Sequence, residues 1–190
     1  MVLTNNKAAF QSSGTASVVS NFEEFSKTGF SYPGDPFLQG GISYNNTNNL
    51  ILGSSGTGYT TNGTNMLVNN YWNPVKGTFY QNFSLFGFAA GWSSSDDNGT
   101  VITIETNLNT YAFNVDFDVA SSSDFYGFIA DTNEFFTGFN ITSNFSNALN
   151  AIDDVMVGTA GTTSVPEPGT MALLGLALAG LGLSRKKKIA

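Results

Sequence analysis

Any chemistry in this chain falls to carboxylates, amides, hydroxyls and aromatic rings, because its 190 residues include neither histidine nor cysteine. Without histidine it lacks the commonest general base and the commonest transition-metal ligand. Without cysteine it has no thiolate metal site and no disulfide framework. Zinc enzymes, haem proteins and Ser-His-Asp hydrolases are therefore excluded. What is left for catalysis is a carboxylate pair of the kind that hydrolyses glycosides, with carboxyl groups roughly 5–9 Å apart and one pKa raised. Glutamate is scarce, and no acidic cluster follows the Glu-x-Asp-x-x-Glu spacing of glucanases. Asp96-Asp97-Asn98 reads as a turn and Asp116-x-Asp118 as the wet face of a strand; neither has the spacing of an EF-hand loop. The chain is expected not to be an enzyme.

Its rings point to a different kind of site. Sugar rings stack on Trp and Tyr faces while Asn and Asp supply directional hydrogen bonds. Tyr71-Trp72-Asn73 and Gly91-Trp92-Ser93 are the best candidates, since both tryptophans stand beside turn residues at strand ends; Tyr59, Tyr80 and Tyr126 are weaker. The competing reading is core or rim packing, the usual place of aromatics in an all-β protein. The phenylalanines are assigned to the core.

Charge narrows the partners. Only 11% of residues are charged, and the net charge is −7. Four of the seven basic residues are Arg185, Lys186, Lys187 and Lys188, so ahead of residue 165 three lysines face thirteen carboxylates. That stretch carries about −10 and repels phosphate backbones, which excludes nucleic acid as a partner. With 41% hydrophobic residues and 17 Phe, it is not a disordered chain either.

The elements that must position these residues are strands. From about 20 to 158, short β-branched and aromatic runs alternate with turn residues every eight to twelve positions. Strands are expected at Val18–Phe25, Asn49–Gly53, Asn65–Asn69, Thr100–Glu105, Asn109–Asp118, Phe125–Ala130, Phe135–Ile141 and Asp154–Gly158, with one long or two short strands in Gly77–Trp92. Ile102 and Ile104 should lie on one face and Val101, Thr103 and Glu105 on the other; Tyr111, Phe113, Val115 and Phe117 should point inward. Asp97-Asn98-Gly99 looks like a type I′ hairpin turn. The expected fold is an all-β sandwich of jelly-roll type, followed by a linker and one short C-terminal transmembrane helix. The expected boundaries are an N-terminal segment at 1–19, the sandwich at 20–158, a linker at 159–164 and a tail at 165–190.

That tail has three parts. In Val165-Pro166-Glu167-Pro168 two prolines keep the backbone extended and out of helix or ladder, available to an enzyme cleft. Residues 169–183 (GTMALLGLALAGLGL) carry no charge. As a helix they would span about 22 Å against a hydrocarbon core of about 30 Å, a marginal anchor. Arg185–Lys188 would stay on the cytoplasmic side and place the sandwich outside the cytoplasm. This order resembles the PEP-CTERM sorting signal of bacterial exopolysaccharide-associated proteins, a pattern also catalogued as an ice-binding protein C-terminal domain. The resemblance implies processing near Val165–Pro168 by exosortase, a membrane-embedded cysteine transpeptidase, then release to the cell surface or extracellular matrix. No regular Thr-x-Thr ladder supports ice binding. Such proteins carry an N-terminal signal peptide, and residues 1–19 have no h-region, so the true signal is expected upstream of Met1.

The middle zone also resembles jelly-roll carbohydrate-binding modules in outline, through Asn21-Phe22-Glu23-Glu24-Phe25, Phe86-Gly87-Phe88, Phe136-Thr137-Gly138-Phe139 and Ile152-Asp153-Asp154-Val155. In those modules an acidic residue of the first strand and an Asp before the last strand share a structural calcium. The resemblance implies such a site at Glu23 or Glu24 with Asp153 or Asp154, and calcium takes carboxylate and carbonyl oxygens readily. The alternative is solvated charges blunting strand ends. The expected function is that of an exported, non-enzymatic surface or exopolysaccharide-matrix protein, binding carbohydrate. The alternative is a permanently membrane-anchored structural or adhesion protein without sugar affinity.

Overall fold

A computed structural model describes residues 1–25, 28–31, 36–45, 50–54, 65–68, 74–90, 99–115, 124–143 and 150–161. They form two antiparallel sheets and a single helix of six residues. The larger sheet runs β1 (Val2–Thr4), β12 (Asp124–Ile129), β9 (Leu85–Ala90), β14 (Ala151–Ala160), β7 (Asn65–Val68), β6 (Leu50–Ser54), β3 (Thr28–Ser31). Its eighth strand, β2 (Gly14–Ser20), pairs with β14. The smaller sheet runs β11 (Thr110–Val115), β10 (Thr100–Thr106), β13 (Phe136–Ser143), β8 (Val75–Phe79), β5 (Ile42–Tyr44), β4 (Phe37–Gln39).

The ten residues of β14 organise the larger sheet. One edge pairs with β9; the other pairs first with β7, at Ala151 and Ile152, and then with β2, from Val155 to Ala160. The alternation along β14 sends Ile152, Val155 and Val157 into the space between the sheets, while Met156 packs on the opposite face. The inter-sheet core is dominated by phenylalanine. Phe86 of β9 stacks on Phe139 of β13 with ring centroids 4.7 Å apart, and Phe79 of β8 meets Phe86 edge-on at 5.0 Å. Such ring pairs add about 0.5–1.5 kcal/mol each beyond the area they bury. Tyr44 is buried among them and donates its hydroxyl to Ser20 Oγ at 2.9 Å, linking β5 to β2 across the core.

The helix α1 (Lys7–Ser12) starts at Asn6, whose side chain accepts from the Ala9 amide at 3.0 Å. It covers the outer face of the larger sheet with Phe10, which is fully buried against Leu85, Phe125 and Met156. Gly127 makes that fit possible: a Cβ there would stand 2.6 Å from the Phe10 ring.

Strand periodicity carried over well where it was strong. Ile102 and Ile104 are core residues of β10, as their alternation implies, and Gly77–Trp92 contains two strands, β8 and β9. Phe113 and Val115 pack against the core, whereas Tyr111 is half-buried and turns to a loop. Residues 1–19, expected as a segment ahead of the domain, contribute β1, α1 and most of β2. The expected strand over Val18–Phe25 divides: β2 ends at Ser20, and a turn follows with Phe22 at φ 56°. Asp97 and Asn98, expected in a hairpin turn, lie outside the described residues; the described strands on either side, β9 and β10, belong to different sheets. Described hairpins join β4 to β5 and β10 to β11, the latter with the Thr106 amide donating to the Asn109 carbonyl at 2.8 Å. Asp116 to Asp118 and the tail at 162–190, with its expected helix over 169–183, lie outside the described residues. Among the described residues no helix is long and apolar enough to cross a membrane.

Candidate functional site

The four acidic residues singled out for calcium fall on the turn after β2 and on β14. That turn is held by Asn65, the first residue of β7, which is wholly buried. Asn65 donates from Nδ2 to the carbonyls of Phe22 (2.8 Å) and Phe25 (3.0 Å), and from its backbone amide to Glu23 Oε1 (3.0 Å). Phe22 sits there at positive φ because its ring is wedged in the core, edge-on to Tyr44 at 5.8 Å. On β14, Asp153 is wholly buried and accepts from the Asp154 amide at 2.7 Å. Asp154 occupies a bulge at φ 46° and lies 3.5 Å from Lys7 Nζ through Oδ2.

Pairing of Ser20 with Val155, and of Ile152 with Leu67, sets the Glu23 turn and the Asp153 bulge near the same end of β7. The other two carboxylates are engaged elsewhere: Glu24 accepts from Gln39 Nε2, and Asp154 faces Lys7. Among the described residues no three acidic side chains form a cluster able to hold a metal ion. Asn65 Oδ1 is buried and receives no hydrogen bond from the described residues, a costly arrangement unless something else faces it. Sequence reasoning missed Asn65, since nothing local separates it from the many other asparagines.

The sugar-stacking candidates Tyr71, Trp72 and Trp92, and the weaker Tyr59, lie outside the described residues. Tyr126 is a core residue, its ring 6.0 Å from that of Phe88, and Tyr80 is exposed.

A second polar constellation had no sequence signal, because its members come from two segments over twenty residues apart. Glu134 is buried and accepts from Asn109 Nδ2 at 2.6 Å and from the Tyr111 hydroxyl at 3.0 Å. These bonds, the one from Asn109 foremost, hold its carboxyl below the usual carboxylate range. Burial, then the bond and charge of Glu134, push the Tyr111 phenol up. The same bonds make Glu134 an anchor between two segments. It ties the β10–β11 hairpin to the loop before β13, helped by Asn107, which accepts from the Phe135 amide at 2.9 Å.

The described chain ends at Gly161, and the three-part tail follows within a few residues. Residues 164–186 match the family model of the PEP-CTERM protein-sorting motif. The chain carries a PEP-CTERM sorting signal. Val165, Pro166, Glu167, Pro168, Arg185 and Lys186 fall inside the matched residues; Lys187 and Lys188 lie just beyond. The PEP-CTERM motif marks an exported, cell-surface-targeted protein with exosortase as its processing partner. No curated protein and no solved structure was found to match the chain.

Proposed function

We propose that this chain is an exported surface or exopolysaccharide-matrix protein whose two sheets form a jelly-roll-like, non-enzymatic carbohydrate-binding module. Its precursor is held in the membrane by residues 169–183 and cut near Val165–Pro168. The observation that carries the reading is the sorting motif at 164–186, directly behind a two-sheet domain whose last described residue is Gly161. A sparsely charged chain rich in Asn, Ser and Thr suits a hydrated polysaccharide. Glu134, a buried carboxylate held below the usual range, is poised to accept hydrogen bonds and not to donate a proton.

The same proposal includes a structural calcium at the turn after β2. Glu23, the Oδ1 of Asn65 and Asp153 would supply its oxygens, and the ion would neutralise charge between the first and last long strands. The support is the buried Asn65 Oδ1 beside Glu23.

The intact mass of the protein purified from its native cells tests the sorting half. A species ending near Pro166–Pro168 is expected. A species that still carries Lys186–Lys188 would make the tail a permanent anchor and favour a membrane-held structural or adhesion protein.

A further inference from the structure

Where β2 and the end of β14 run side by side, they border an open cleft of about 460 Å³ together with Gly40, Gln81 and Phe83. Its size falls in the range of small-molecule sites, roughly 300–1,000 Å³. We propose that this cleft is a binding site for an uncharged saccharide; the inference rests on the carbohydrate-binding reading above and locates its site.

The chemistry of the lining selects the ligand. Thr15 and Thr159 face each other across the strand pair with their hydroxyls 3.0 Å apart, and Ser17 adds a third hydroxyl two residues along β2. Gln81 is exposed and brings an amide with donors and an acceptor. Hydroxyls and amides that both give and take hydrogen bonds match the same dual character in sugar hydroxyls. Phe83 supplies the apolar surface on which a sugar ring stacks. Its position is set in advance: its ring stands edge-on to Phe79 at 6.1 Å, and its carbonyl accepts from the Phe136 amide at 2.8 Å. Such preorganisation lowers the ordering cost of binding.

What the lining lacks is equally selective. Among the described residues no Asp, Glu, Lys or Arg borders the cleft, although the residues ahead of 165 include thirteen carboxylates. An anionic polysaccharide would meet no cation here and would approach against the domain's negative charge. A cationic ligand would find no ion-pair partner. A neutral chain meets neither penalty, and the exposure of Gln81 and Thr159 at the rim lets a longer polymer continue past the cleft.

The test is affinity electrophoresis of the full chain through gels holding neutral polysaccharides (dextran, galactomannan, a mixed-linkage glucan) or anionic polygalacturonate. Retardation by at least one neutral polymer is expected. The double variant Gln81→Ala/Thr159→Val, two rim positions chosen to leave the core intact, should weaken it about tenfold or more, with an unchanged melting temperature. Trp72→Ala and Trp92→Ala should leave it in place. Neutral retardation that survives the double variant and disappears with Trp72→Ala or Trp92→Ala overturns the cleft while keeping the carbohydrate reading. Retardation by polygalacturonate alone overturns the neutral class. No retardation in any gel overturns both.

Discussion

The Gly161 amide donates to the Ser13 carbonyl at 2.8 Å, tying the residue after β14 to the end of α1. One residue earlier, the Ala160 amide donates to Ser84 Oγ at 2.7 Å. The last described strand is thus bonded down until three residues before the sorting motif begins at 164. Four extended residues from Gly161 reach Val165, at most about 14 Å from the folded domain.

Removing the tail should therefore leave the domain as stable as before. A chain ending at Pro168 keeps every described strand pair and is expected to melt within about 2 °C of the full chain, by circular dichroism. A much larger fall would mean that residues 169–190 belong to the folded core.

The contact between Phe86 and Phe139 should be the most sensitive point of the core. Phe86→Ala is expected to destabilise by about 3–5 kcal/mol in chemical denaturation. Gly77 of β8 gives the Phe139 ring its room, because a Cβ there would stand 2.1 Å from the ring edge. Gly77→Ala should cost about 1–3 kcal/mol through overpacking. A neutral Gly77→Ala would show that the Phe139 ring can shift freely.

Glu134 predicts part of the acid limb. Its folded pKa lies below the unfolded value, so unfolding takes up protons and its contribution is present above the ordinary carboxylate range. That contribution is lost as the pH falls through the folded value. Glu134→Gln should reduce stability near pH 7 and flatten the decline below about pH 4.5. Tyr44 acts at the other end: burial pushes its phenol up, so its contribution is present below about pH 10 and lost as the pH climbs above that. Parallel acid limbs in wild type and Glu134→Gln would rule out the carboxylate as their source.

Calcium should stabilise the turn after β2. Millimolar calcium is expected to raise the melting temperature over chelator, adding about 2.7 kcal/mol of stability if its concentration is a hundred times the dissociation constant. Glu23→Gln and Asp153→Asn should abolish the response. Equal melting temperatures with calcium and with chelator would remove the ion from the site.

Asn65 matters with or without a metal. Asn65→Ala frees the carbonyls of Phe22 and Phe25 at once, and the buried one at Phe22 alone costs about 1–3 kcal/mol when orphaned. The amide of Glu23's partner residue remains in place, so the loss should appear in equilibrium stability more than in overall strand content.

Local features were legible from residue order. The alternation of Ile102 and Ile104 identified a strand and its inward face, and phenylalanine marked the core, because burial of large apolar rings is the same wherever the chain goes. Short elements escaped notice: β1, β4 and β5 have three residues each, too few to show a period. β9 and β10 are neighbours in sequence yet belong to different sheets, and local sequence does not say whether the next strand returns to the same sheet. Asn65 and Glu134 were invisible because their partners lie 40 to 43 and 23 to 25 residues away.

By itself the sequence determined that strands would dominate, that no His or Cys chemistry was available, and that a sorting signal closes the chain. Those conclusions depend on composition, period and a contiguous motif, all of which survive without knowing which segments meet. Only the tertiary structure decided that β2 lies along the end of β14, that Asn65 clamps the turn bearing Glu23, and that an uncharged cleft opens between Thr15 and Phe83. The reason is physical: each depends on backbone pairing or side-chain approach between distant segments, settled by how the two sheets bury their phenylalanines together.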